Sequence, residues 1–199
     1  VVIAGETGSG KSTLVDLILG LMHPKSGDIY YNNVKVGADN GLRSKVAYIP
    51  QDIFIIDDTL SNNVTLEFDE RKVSDEMLSN ALTKSRLVDT IRTIPNGLNE
   101  KLGDKGVSLS GGQRQRVALA RALYHDREIL IMDEATSALD AETESEVIKE
   151  IDMLKGKKTI IVIAHKLNTL ENCDRIIKLK DGKIIQSGSY KEVILNNVE

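Results

Sequence analysis

Little in these 199 residues points to covalent bracing or to a membrane span. The single cysteine, Cys173, excludes an internal disulfide and suits a reducing compartment. It reads as a small packing residue. The longest apolar runs are short, Ile160 to Ala164 among them, and none approaches the ~20 residues that cross a bilayer. No stretch has the pattern of a secretory signal. Positive charge is in deficit, with 26 basic against 30 acidic residues and a net charge of −4. A general nucleic-acid binder needs a basic face to neutralise phosphates, so nucleic acid is not expected as a partner. Repeats and low-complexity tracts are absent as well.

What is present is enough apolar residue, 41%, to bury a core in one domain or two small lobes. Val1 to Ala4 reads as a buried strand and Gly5 to Lys11 as a loop. Ser12 to about Leu21 reads as a helix, because Leu14, Leu17, Ile18 and Leu21 recur at helical spacing. Short strands are expected at Asp28 to Tyr31 and Lys45 to Ile49, with Asn32-Asn33 as a turn. From Thr59 to Thr93 the chain is polar and helical, with runs at Ser74 to Thr83 and Ser85 to Thr93, and Pro95-Asn96-Gly97 ends it. Helices are then expected at Gly111 to Tyr124 and Glu142 to Leu154. Strands are expected at Ile129 to Met132 and Thr159 to Ala164. Arg175 to Leu179 and Lys183 to Gln186 flank Asp181-Gly182, a hairpin signal. Strands alternating with helices predict an α/β fold with a mostly parallel sheet. A buried strand at residue 1, without an initiating Met, predicts that the chain is part of a longer one.

Gly5-Glu6-Thr7-Gly8-Ser9-Gly10-Lys11-Ser12 fits the G-x-x-x-x-G-K-[ST] pattern, with a strand before it and a helix after it. The glycines let successive backbone N–H groups point into one anion-sized hollow, and the helix aims its positive end at the same spot. Lys11 adds a cation for outer phosphates, and the Ser12 hydroxyl is placed for Mg²⁺. Ile129-Leu130-Ile131-Met132-Asp133-Glu134 puts two carboxylates at the end of a buried strand, where open α/β sheets bind ligands. Asp133 can hold the Mg²⁺ shell, and Glu134 can act as general base on a water. These two motifs define a P-loop ATPase or GTPase.

Leu109-Ser110-Gly111-Gly112-Gln113 is a second anion site. Ser110 and Gln113 have capping-box spacing, and the two glycines leave the first-turn N–H groups uncovered. This segment looks like the signature of the ATP-binding cassette (ABC) family, which the chain resembles over essentially its whole length. Ile129 to Asp140, with Ala135-Thr136-Ser137-Ala138-Leu139-Asp140, looks like the Walker B strand and D-loop. Gln51 after Tyr48-Ile49-Pro50 looks like the Q-loop glutamine, and His165 after the Thr159 to Ala164 strand looks like the switch histidine.

The resemblance implies a RecA-like P-loop NTPase lobe (residues 1–58 and 115–199) with an inserted α-helical lobe (59–114). It implies ATP and Mg²⁺, with Gly5 to Ser12 and Thr13 around the phosphates. Lys11 and His165 would contact the γ-phosphate, Ser12, Gln51 and Asp133 would surround Mg²⁺, and Glu134 would activate water. Ser110, Gly111, Gly112 and Gln113 would face the nucleotide of a second subunit, with Asp140 at the subunit boundary. Two different anion sites per chain can close two identical composite sites about a two-fold axis. The partner is therefore a second ABC domain, in a homodimer or a heterodimer.

Two segments resemble exporters. Glu100-Lys101-Leu102-Gly103-Asp104-Lys105-Gly106 is similar to their X-loop, and Asp58 to Val64 is similar to the stretch that meets coupling helices. This implies ATP hydrolysis coupled to export at the cytoplasmic face of a membrane. A transmembrane domain would be fused upstream, where an adenine-stacking aromatic would also lie. Among non-transport cassettes, the DNA-maintenance type would insert a long coiled coil between Lys11 and Ser110, and no sustained heptads occur there. The translation type would carry two cassettes in tandem. The cargo stays open among lipid-linked sugars, lipids, peptides and drugs.

Overall fold

The structure, a computed structural model, describes residues 1–36, 42–103, 108–136, 138–164 and 173–195. In chain order the strands are β1 (Val2–Ala4), β2 (Tyr30–Tyr31), β3 (Val34–Lys35), β4 (Val46–Ile49), β5 (Ile129–Asp133), β6 (Thr159–Ala164), β7 (Ile176–Lys180) and β8 (Lys183–Gly188). The helices are α1 (Lys11–Leu19), α2 (Leu60–Thr65), α3 (Asp75–Lys84), α4 (Leu87–Thr93), α5 (Gly111–Tyr124), α6 (Ala141–Asp152) and α7 (Tyr190–Val193). Two compact units result. One is Val1–Ala47 with Glu128–Glu134 and Thr159–Glu199; the other is Tyr48–Arg127 with Ala135–Lys158. The second unit thus takes in more chain than residues 59–114.

A six-stranded sheet runs in the order β4-β5-β6-β1-β7-β8. Its centre is parallel: β1 pairs with β6 and β7, and β5 pairs with β6. Apolar residues on both faces make this possible, since a parallel sheet is covered on both sides. Val2, Ile3 and Ile129 to Met132 are all buried. Val15 and Leu19 of α1 join Ile3, Ile131 and Ile163 in one core cluster. Ile131 has no exposed surface. Its truncation to Ala should cost ~2–5 kcal/mol, because the rigid surroundings collapse only partly. A thermal melt within a degree of the native value would contradict that packing.

Both predicted turns are present. Asn32 and Asn33 (φ 48 and 64) join β2 to β3, and Asp181 and Gly182 (φ 50 and 72) join β7 to β8. Two consecutive positive φ angles match the twist of a two-residue hairpin. Helix α1 starts one residue earlier than the apolar spacing suggests and stops at Leu19. Gly20 turns left-handed there, and its N–H caps the Asp16 and Leu17 carbonyls.

In the second unit α2 to α5 enclose a core that includes Leu60, Leu87, Leu102, Val117 and Ala120. Thr59 caps α2, Ser74 caps α3 and Asp140 caps α6, each by accepting the backbone N–H three residues on. Helix α4 begins two residues later than expected. Ser85 is spent as the C-cap of α3, its hydroxyl buried and donating to the Leu82 carbonyl at 3.2 Å.

Candidate nucleotide-binding site

Parallel pairing brings the strand ends that carry the motifs to one edge. Asp133 lies in register with Ile163, and Ile163 with Ile3. The phosphate loop leaves β1 two residues beyond Ile3, and β6 ends one residue beyond Ile163. Asp133 and Glu134 are both half-buried. Glu134 has φ 49, in the left-handed region that non-glycine residues avoid, and its N–H reaches the Ile163 carbonyl at 3.3 Å. Such strain persists where surrounding structure over-determines it, and it gathers at functional positions.

The loop Gly5 to Gly10 folds back on its own lysine. Lys11 Nζ donates to the Gly5 and Glu6 carbonyl oxygens, each at 2.8 Å. Ser9 N–H donates to the Glu6 carbonyl, and Gly182 N–H donates to that of Ser9. Gly8 and Gly10 have φ of 80 and 99. A Cβ on Gly5 would lie 2.5 Å from both the Leu179 carbonyl oxygen and Ser9 Oγ, so glycine is required there. The N-terminus of α1 carries no side-chain cap, and Ser12 and Thr13 are exposed in its first turn.

Two features show that this loop fits an anion. Lys11 is only 6% exposed, yet among the described residues no carboxylate is within ion-pair reach. A buried ammonium held by carbonyls alone is under-compensated. Ser9 Oγ is buried and has no hydrogen-bond partner among the described residues. A polyphosphate supplies both missing elements. It offers negative charge to Lys11 and an acceptor to the Ser9 hydroxyl, and further acceptors to the uncapped helix terminus. Mg²⁺ accompanying it would find hard oxygen donors on Ser12 and Asp133.

The Ser110 segment belongs to the other unit. Ser110 Oγ accepts from Gln113 N–H at 3.2 Å, and Gln113 Oε1 accepts from Ser110 N–H at 2.8 Å, closing the predicted capping box. The Ser110 hydroxyl keeps its proton for an acceptor outside the helix. Asp140 Oδ1 and Oδ2 accept from Thr143 N–H and Oγ1 at 3.0 and 2.8 Å. The Thr143 amide, with help from its hydroxyl, holds the Asp140 carboxyl below its ordinary range. Gln51 lies exposed in a bend after β4. His165, Ser137 and Asp104 to Gly106 lie outside the described residues.

The two exporter-like segments pair with each other. Leu60 N–H donates to the Glu100 carbonyl and Leu102 N–H to that of Asp58, forming a bridge between Thr59 and Lys101. Fully buried Asn63 pins this region, since its side chain accepts from Ile56 N–H and donates to the Ile56, Asp58 and Thr59 carbonyls. Arg121 of α5 donates through Nε to the Asn63 carbonyl at 2.8 Å and through both terminal nitrogens to that of Phe54. Phe54 itself is 74% exposed.

Sequence reasoning placed Gln115 in the run that continues the signature but gave it no role of its own. It is 4% exposed, and its Oε1 accepts from Ala138 N–H at 3.0 Å. The available signal was a polar residue on the Gly111, Ala118, Ala122 stripe of α5.

The family model described as "ABC transporter" matches residues 1–137. The chain belongs to the ABC transporter family. A protein of Cupriavidus metallidurans named ATP-dependent lipid A-core flippase is 42% identical over 99% of this chain and 34% of its own length. The protein of the same name from Paraburkholderia xenovorans is 42% identical over 98% of this chain and 32% of its own. A solved structure of a bacterial Atm1-family ABC exporter with ATP bound superposes with a TM-score of 0.90. It is 32% identical and covers 98% of this chain and 35% of that one. The chain therefore spans about a third of the length of the relatives it matches.

Proposed function

We propose that this domain hydrolyses ATP, with Mg²⁺, to drive export by a larger protein that contributes a transmembrane domain. The observation that carries this reading is the buried Lys11 ammonium, enclosed by a glycine loop and lacking a carboxylate partner among the described residues. Lys11 and the loop N–H groups, with Ser9 and Thr13, would bind the phosphates. Ser12, Asp133 and Gln51 would hold Mg²⁺, whose charge offsets that of the phosphates. Glu134 would take the proton of the attacking water, and His165 would bind the outermost phosphate.

A second copy completes each site. Ser110, Gly111, Gly112 and Gln113 of one chain would close on nucleotide held by the Lys11 loop of the other, with Asp140 at the boundary. Loss of the γ-phosphate then removes the bridge, so chemistry becomes opening and closing. The Asp58 to Val64 segment would face the membrane domain at the cytoplasmic face. The flippase name of the 42%-identical relatives makes an amphipathic lipid the first cargo to test.

Shared sites make a sharp prediction. In the intact protein Ser110→Arg and Lys11→Ala should each abolish turnover as homodimers. A tag-purified mixed dimer keeps one complete site of two, hence about half the native turnover. A silent mixed dimer would remove the composite-site reading.

A further inference from the structure

We infer that Gln115 is a positioning residue for hydrolysis, acting by clamping the loop that follows Glu134 onto the helix that begins at Ser110. The inference rests on the hydrolytic reading of Glu134 and adds a residue to it.

The loop from Ala135 to Asp140 joins the catalytic carboxylate to α6. Its amide at Ala138 is bonded to the side chain of Gln115, one turn into α5. Gln115 stands three and four residues after Gly112 and Gly111, on the same helical face. Those glycines meet the same loop residue. A Cβ on Gly112 would lie 3.0 Å from the Ala138 carbonyl oxygen, and one on Gly111 would lie 3.4 Å from the Ala138 Cβ. The signature glycines therefore do two jobs. They bare N–H groups, and they let the Ala138 backbone lie against the first turn of α5. On either side of Ala138 the loop is anchored again, because Thr136 Oγ1 donates to Glu144 Oε1 at 2.8 Å and Asp140 caps α6.

An amide side chain buried to this degree must be satisfied, and one partner is the loop. Removing the Gln115 acceptor strands the Ala138 N–H and releases the middle of the loop. Glu134 sits one residue before that loop, in a strained backbone conformation that needs support from both sides. The phosphate loop lies on a different stretch of chain. The loss should therefore appear in the rate of chemistry and not in ATP binding.

The test compares Gln115→Met with Gln115→Glu in the intact protein. Met keeps the length and loses the acceptor, whereas Glu offers an acceptor oxygen in either protonation state. Gln115→Met should lower kcat for ATP about ten-fold, the effect of one buried hydrogen bond of roughly 1.4 kcal/mol, with KM unchanged within about two-fold. Amide exchange at Ala138 should accelerate about ten-fold while that of Leu119 does not. Gln115→Glu should recover most of kcat. Native kcat in the Met variant, or a Glu variant as slow as the Met one, would overturn the inference. So would equal acceleration at Ala138 and Leu119, which marks general loosening. Full turnover in Glu134→Gln would instead sink the hydrolytic reading on which it rests.

Discussion

Replacing Lys11 by Ala should abolish productive ATP binding while leaving the fold intact. The ammonium is the only cation within the glycine loop itself, and two of its three protons are held by the Gly5 and Glu6 carbonyls. In the proposed site the third would go to a phosphate oxygen. Deleting one partner of a buried, hydrogen-bonded charge pair costs ~2–5 kcal/mol, a loss of roughly 30-fold or more in affinity. The same deletion frees two carbonyls that the lysine draws together, so the loop also loses its tether. Lys11→Met keeps the aliphatic stem and separates packing from charge; it should fail as Ala does. Fluorescent-nucleotide titration measures the affinity, and a thermal melt shows whether the sheet survives. Undiminished affinity in both variants would remove Lys11 from the phosphate site.

Replacing Glu134 by Gln should leave ATP affinity near native and stop turnover. The amide keeps the size and the left-handed backbone but cannot take a proton from water. General-base catalysis contributes about 10²–10⁴-fold, so kcat should fall within that range. With hydrolysis stopped, the nucleotide bridge between two copies persists, and a closed dimer should accumulate under Mg-ATP by light scattering. A monomer at saturating ATP would contradict the bridging geometry. The contrast with Lys11→Ala is diagnostic, because one variant fails to bind and the other binds without release.

The parts of the fold that could be read from sequence were those with a strong local cause. The β7–β8 hairpin announced itself through Asp181-Gly182, and α5 through Ser110 with Gln113. The sheet core announced itself through Ile129 to Met132. The phosphate loop combined spacing, strand and helix in one pattern. The start of α4 was misplaced because Ser85, a good opening residue in isolation, is drawn into the end of α3 by tertiary packing. Helix α7 carries a capping box from Ser189 to Glu192, yet four residues are too few for apolar periodicity to register. The stripe of α5 marked Gln115 as a buried polar residue, but its partner could not be read, because it is a backbone N–H 23 residues away and composition says nothing about such a pairing. The pairing of Thr59 with Lys101 was hidden for the same reason.

Arg121 gives the signature helix a second working end. Ten residues separate its attachment at Arg121 from Gly111, an axial distance of about 15 Å. Within that span the rod is an unbroken α-helix with neither proline nor a bulge to absorb bending. Its far end grips the carbonyls of Phe54 and Asn63 through a guanidinium fork. A tilt of the helix at its Ser110 end would therefore be carried to the main chain at Phe54 and Asn63, as a lever moves its load about a stiff arm.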